Sequence, residues 1–426
     1  MNWIYIKLLK SSSGLTPNLR VSPIMNIQRG FIFVLMFCTF FLANCQPDVE
    51  LPADDTPEDT LWDFYFGADL SYLNQILDKG GVYKDQNEIR SPYKIFKDHG
   101  ANLVRLRLWH NPEWTKEIYG TSGQPLYNDL KDVEKAIRLS KEQGMEVLLD
   151  FHYSDSWADP GKQEIPKAWQ AIQELSVLKD SVYEYTFKTL SYLNNKSLMP
   201  ELVQIGNETN CGMLYTDALA GFPSCNVCSG AQWQRLGEVI NSAIKAVNDV
   251  KSSSSVKTKI ILHVADPKNV EWWFDNITGL GSVTGFDIIG FSYYPLWHKT
   301  VSVETLSESV SKFKTKYGKP VMILETAYPW TTDRKDNYNN HFGGETPLAG
   351  YPFSVQGQSD LLKKLTQEVI DGGGSGIIYW EPAWISVPSL KDQWGAGSSW
   401  ENNTFFDFEG GTLQSIDYMN HDYKQK

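Results

Sequence analysis

Two glutamates close apolar runs: Glu208 in Glu201-Leu-Val-Gln-Ile-Gly-Asn-Glu-Thr-Asn210, and Glu325 in Lys319-Pro-Val-Met-Ile-Leu-Glu325. Leu202, Val203 and Ile205 form a β-branched-rich stretch of strand length led in by Pro200, and the second run has the same design. A carboxylate at the end of such a strand sits at the mouth of a sheet or barrel. Two of them imply a facing pair, the arrangement that lets one acid act on a carbon while the other handles a proton. The bland reading of Glu208 is a cap for a following helix through Thr209 or Asn210.

The elements that must carry this pair recur along the chain. Strand candidates lie at 64–69, 102–109, 145–152, 201–208, 259–264, 286–294, 320–325 and 376–381, and stretches with helical spacing lie at 129–143, 181–193, 233–250, 303–317 and 358–370. Alternation of this kind predicts a parallel sheet, and eight units predict an α/β fold of the (β/α)8 TIM-barrel type in a single catalytic domain over residues 62–426. A doubly wound open sheet is the runner-up, but no Gly-x-Gly-x-x-Gly follows the first strand.

Active sites of closed barrels gather at the carboxyl ends of the strands. Here those ends hold Asp69, Arg107, His152, Glu208, Tyr293 or Tyr294, Glu325 and Trp380. Strand parity puts Arg105 and Arg107 on one face and Val104, Leu106 and Leu108 on the other, so two guanidinium groups point inward. Buried arginines need acid partners, and Asp150, Glu208 and Glu325 are at hand. A long loop, 151–163, leaves the third strand with Asp155 and Trp157, and Trp297 follows the sixth; with Trp380 and Trp384 these rings predict a groove with stacking platforms.

Composition fits a neutral, sugar-like partner. The 426 residues include 15 Trp and 21 Tyr, and a formal charge of −12 disfavours nucleic acid or an anionic membrane surface. A monomer is expected. Residues 31–42 form an apolar block of signal-peptide length behind Arg29, and Met25 opens a tidier signal than Met1 does. Cleavage before Cys45 would remove residues 1–44 with four cations and no acid, taking the charge to −16. Residues 45–61 are acidic, proline-rich and aperiodic, which predicts a flexible tether. Of the remaining cysteines, Cys211, Cys225 and Cys228, two could pair and leave one free; the Cys-x-x-Cys spacing alone is weak for zinc.

Several motifs carry a family resemblance. Gly67-Ala-Asp-Leu-Ser71, Val104-Arg-Leu-Arg-Leu-Trp109 with Asn111-Pro112, the run 150–163, Ile205-Gly-Asn-Glu208, Ile323-Leu-Glu-Thr-Ala-Tyr328 and Tyr379-Trp-Glu-Pro-Ala-Trp384 resemble glycoside hydrolase family 53, the arabinogalactan endo-β-1,4-galactanases. The resemblance spans about residues 62–420. It implies a retaining mechanism on β-1,4-galactan side chains of pectin, with Glu208 as acid/base and Glu325 as nucleophile.

Around that pair, Asp69, Arg107, His152, Asp155, Trp157, Asn207, Tyr293, Trp297 and Trp380 are the expected substrate contacts. Arg107 is expected beside Glu325 to hold its charge, and Asn207 at the sugar 2-hydroxyl. The resemblance also implies a structural calcium near Asp336 and Asn340, with Tyr338 offering its carbonyl, although Arg334 stands where an earlier aspartate would fall; no cofactor is expected for catalysis. Leu42-Ala-Asn-Cys45 resembles a lipobox, so Cys45 is the expected lipidation site. The acidic segment behind it resembles the surface-export signal of Bacteroidetes lipoproteins, which implies an outer-membrane lipoprotein facing the cell exterior.

Overall fold

Eight apolar runs become eight parallel strands because each is short, rich in branched residues and bounded by turn or helix signals. The computed structural model describes residues 64–120 and 125–424. The expected signal segment, the tether and Cys45 lie outside the described residues. The strands are β1 (Tyr65–Asp69), β2 (Leu103–Leu108), β3 (Glu146–Phe151), β4 (Leu202–Ile205), β5 (Lys259–Ala265), β6 (Ile288–Ser292), β7 (Val321–Thr326) and β8 (Gly376–Tyr379). Each pairs in parallel with its sequence neighbours, and β8 closes on β1. The open-sheet reading is thereby excluded.

Helices cover the outside. α1 (Leu73–Asp78) and α2 (Pro92–Asp98) follow β1; α3 (Trp114–Glu117) and α4 (Leu130–Glu142) follow β2. α5 (Leu175–Asn194), α6 (Trp233–Lys251), α7 (Val270–Gly279), α8 (Leu306–Tyr317) and α9 (Val355–Asp371) follow β3 to β7 in turn. Local chemistry fixes their ends. Asp129 accepts from the N–H groups of Lys131 and Asp132 to start α4, and the Ser354 hydroxyl accepts from Gly357 N–H to start α9.

The strands separate two apolar layers. Val104, Leu106 and Leu108 face the helices, whereas Leu103, Leu148, Leu202, Ile261, Ile288, Met322, Leu324 and Ile378 plug the barrel. Truncating one of these plug residues to alanine would cost about 2–5 kcal/mol. Gly290 gives the plug room: a Cβ there would lie 2.3 Å from Leu324 Cδ1. Above the plug, the same inward faces turn polar, with Arg105, Asp150, Gln204 and His263 all buried. The barrel therefore has a dry lower half and an ionic upper half, and the upper half opens into the cleft.

Candidate active site

Two local departures from regular strand geometry bring the glutamates together. On β7, Met322 and Leu324 point into the plug, so strict alternation would turn Glu325 outward. It does not, because β7 carries one extra residue against both neighbours: Phe291 pairs with Ile323 but Ser292 with Glu325, and Ile377 pairs with Ile323 but Tyr379 with Thr326. This bulge re-aims Glu325 into the barrel mouth. On the other side, β4 is followed by Gly206 with φ +77°, and Glu208 itself adopts φ +44°. Non-glycine residues seldom hold that left-handed conformation, and it swings Glu208 across the opening.

The result is a pair of carboxylates with oxygens within 4.8 Å of one another. They line a cleft of about 620 Å³ together with Asp69, Asn207, Tyr294, Trp157 and Trp380. Glu325 is buried at the floor, and Glu208 is partly exposed.

Arg105 is the hub of the charge network. Its guanidinium lies 2.9 Å from both Asp69 and Glu325 and 2.8 Å from Asp150, and it also donates to Gln204 and Asn207. Burial alone would make Arg105 easier to deprotonate, but Asp150, Glu325 and Asp69 outweigh it and hold it charged. Tyr294 donates to Glu325 Oε2 at 2.9 Å. Burial raises the pKa of both glutamates. For Glu325 the rise, to about 7, is opposed by Arg105 and the Tyr294 hydrogen bond. Glu208 is pushed well up by burial and then by the charge of Glu325, with only Ser292 and the more weakly felt Arg105 opposing. Glu208 is thus the member that keeps its proton.

The expected salt bridge from Arg107 to Glu325 is not formed. The inward faces are staggered, so Arg105 reaches Glu325, while Arg107 sits one layer higher and pairs with Glu381 at 2.6 Å. Arg107 lies under the rings of Trp157, Tyr72 and Trp109, 4.0–4.9 Å from their centroids. Glu381 just beyond β8 (φ +47°) is fully buried, and burial, opposed by Arg107, raises its pKa to about 8.

Asp69, Arg107, His152, Trp157, Asn207, Trp297 and Trp380 all line the cleft. Two expected contacts do not. Tyr293 turns its hydroxyl to Val301 O, because alternation puts Ser292 and Tyr294 on the inner face instead. Asp155 spends its carboxylate on the backbone N–H groups of Asn111 and Lys167, where it staples two loops. His152 is fixed between Asp150 and the Ala158 N–H, and so shapes the loop it begins. Trp297, 44% exposed, stacks on Phe342 at 4.2 Å, and Trp380 meets Trp400 edge-on. Of the two tyrosines expected at the end of β6, Tyr294 is the one that lines the cleft, as parity along β6 requires; His263, Ser292 and Glu381 were not among the expected residues.

The expected calcium donors do not fit a cation cage. Asp336 commits Oδ1 to Tyr338 N–H at 2.6 Å, and Oδ2 to Ser398 N–H and the Ser386 hydroxyl. Asn340, with both amide atoms unpartnered, belongs to a separate hollow lined by Arg334 and by no acid. Calcium favours several oxygens, carboxylates among them. Among the cysteines, Cys211 pairs with Cys228, and Cys225 is free and buried.

A closed (β/α)8 barrel with two carboxylates this close at the carboxyl ends of β4 and β7 is the frame of a glycoside hydrolase. The chain belongs to glycosyl hydrolase family 53, which it matches over residues 65–419. It is 44% identical over 357 residues to an arabinogalactan endo-β-1,4-galactanase of Cellvibrio japonicus, covering 83% of this chain and 88% of that protein. It is 31% identical over 390 residues to an endo-β-1,4-galactanase of Bacillus subtilis, with 83% and 85% covered. Among solved structures, the family 53 catalytic domain of Ignisphaera aggregans superposes with a TM-score of 0.75 at 34% identity, covering 89% of this chain and 99% of that one.

Proposed function

We propose that this chain is an endo-acting β-1,4-galactanase that cleaves the galactan and arabinogalactan side chains of pectin by double displacement. The observation that carries the mechanism is the carboxylate pair, with oxygens within 4.8 Å. Retaining enzymes hold their acids about 5–5.5 Å apart, whereas inverting ones leave about 6.5–9.5 Å for a water. Glu325, its charge held by Arg105 and its Oε2 oriented by Tyr294, attacks the anomeric carbon. Glu208, kept protonated by burial and by Glu325, gives its proton to the leaving oxygen and then takes one from the water that releases the sugar. Asn207 is held by Arg105 and by Ala158 O, with one N–H left over for the sugar 2-hydroxyl.

The substrate class rests on the galactanase relatives and on the cleft. Trp157, Trp297, Trp380 and the 60% exposed Trp394 offer flat faces around the acids, which suits stacked pyranose rings. The test is reducing-sugar release from potato galactan against mannan and cellulose. Short galacto-oligosaccharides from galactan alone are expected; equal or faster release from mannan or cellulose would overturn the substrate reading.

We infer that the enzyme works outside the cell. It is a monomer held on the outer face of the outer membrane through a lipid on Cys45, with residues 45–61 as the lipidated tether. Metabolic labelling with a clickable fatty acid, lost in Cys45→Ala, tests the anchor. Calcium is left out of the mechanism. Melting with and without chelator checks that, and an unchanged midpoint is expected from the way Asp336 is engaged.

A further inference from the structure

The hydrogen bonds around Glu208 close on themselves. Its backbone N–H points at Nδ1 of His263 (3.3 Å), Nε2 of the same ring lies 2.9 Å from Ser292 Oγ, and that hydroxyl donates to Glu208 Oε1 at 2.6 Å. Three neighbouring strands contribute: Glu208 follows β4, His263 belongs to β5 and Ser292 ends β6. The imidazole is completely buried and plays no part in the double displacement as described.

The neighbours fix which ring nitrogen carries hydrogen. Nδ1 meets two donors, Glu208 N–H and Gln204 Nε2 at 3.1 Å. Asn207 Oδ1 is also 3.0 Å away and accepts from Arg105 at 2.7 Å, while the two Gln204 amide hydrogens serve Gly206 O at 3.0 Å and Nδ1. A hydrogen on Nδ1 would strand the Glu208 N–H, so the hydrogen sits on Nε2 and donates to Ser292 Oγ. The Ser292 hydroxyl is thereby aimed at Glu208. Burial, with Arg105 nearby, keeps the ring neutral.

We propose that His263, acting through Ser292, is a positioning residue for the acid/base: one imidazole holds the left-handed backbone of Glu208 and ties down Oε1, leaving Oε2 to give and take the proton. This rests on the reading of Glu208 as acid/base and deepens it. Glu325 from β7, Asp159 from the loop after β3, Arg105 from β2 and Tyr294 just after β6 also surround Glu208. Among the described residues, the Ser292 hydroxyl is what bonds its side chain.

Ser292→Ala tests the relay directly. The Ser292 bond favours the carboxylate, so its loss makes Glu208 harder to ionise and moves the alkaline limb of kcat/KM upward by about one pH unit. Ser292→Thr, which keeps the hydroxyl, leaves the limb in place. His263→Phe lowers kcat on galactan about 10- to 100-fold, but spares glycosylation by 2,4-dinitrophenyl β-galactobioside, whose leaving group needs no proton. Glu208→Ala is run on the same two substrates. If it fails to spare the dinitrophenyl substrate, the acid/base reading falls. If it does spare it and the alkaline limb of Ser292→Ala stays where it was, the relay alone is overturned. Should His263→Phe not fold, the Ser292→Ala limb still decides.

Discussion

Arg105 and Arg107 stand two residues apart on one face of β2, and the barrel surrounds them differently. Arg105 touches three carboxylates and the asparagine beside Glu208. Arg107 touches one carboxylate and three aromatic rings, and two of its guanidinium nitrogens have no protein partner. The same side chain serves one layer as the electrostatic partner of Glu325 and the next as a packed pillar of the cleft wall. The neighbours decide the role, since removing a buried cation costs most where it strands the most charge.

The largest effect should come from the pair that Arg105 serves. Glu325→Ala and Glu208→Ala are each expected to lower kcat on galactan by roughly 10⁴-fold or more, the scale of losing a catalytic group. Azide should restore turnover of an activated galactoside in Glu325→Ala with inversion, because the small anion fits the space of the lost carboxylate. In Glu208→Ala azide, which needs no general base, attacks the glycosyl-enzyme in place of water, Glu325 leaves as the carboxylate, and the product keeps its configuration; the opposite outcome would exchange the two roles.

The two arginines come next. Arg105→Met leaves Asp69, Asp150 and Glu325 without their cation and should cost about 3–5 kcal/mol in urea denaturation. As the proposed nucleophile Glu325 must be ionised, so activity is expected to be lost as pH falls through its pKa. Without Arg105 that pKa rises further, and the acid limb of kcat/KM moves to higher pH. Arg107→Met leaves a single acid that burial already pushes to about 8 and that can go neutral. It should cost about 1–3 kcal/mol, chiefly lost ring contacts, with a smaller fall in kcat and an unmoved acid limb. Equal effects of the two substitutions would erase the distinction between the layers.

Reduction of Cys211–Cys228 should matter least to the chemistry. The bridge closes a loop of 17 residues in sequence separation, which predicts about 3 kcal/mol lost on reduction, seen as a lower melting temperature with little change in activity at 25 °C.

Much of this was legible in the chain. The strands showed themselves as branched apolar runs with polar ends, and parity along β2 correctly turned both arginines inward. Partner choice was not legible. Which arginine meets Glu325 depends on the stagger between strands that are far apart in sequence, and that is a property of closure rather than of any one run. The bulge on β7 was hidden for a similar reason, because Val321-Met-Ile-Leu-Glu325 reads as a regular strand and the extra residue appears only against β6 and β8. Tyr294 over Tyr293 could have been read by counting twos from Ser292. His263 could not, since a histidine inside Ile-Leu-His-Val looks like core packing until the end of β4 is folded against it. α7 was legible but passed over: in its ten residues Val270, Trp273, Phe274 and Ile277 recur at helical spacing and are the ones buried.

Glu208 and Glu325, with oxygens within 4.8 Å of one another, are proposed to act on one anomeric carbon. Proton NMR of the reducing end released from galactotetraose, followed from the first minutes before mutarotation, tests it most directly. The account predicts that the β-anomer appears first and the α-anomer grows in later. Initial release of the α-anomer would mean single displacement by water, and the double-displacement reading of this pair would be wrong.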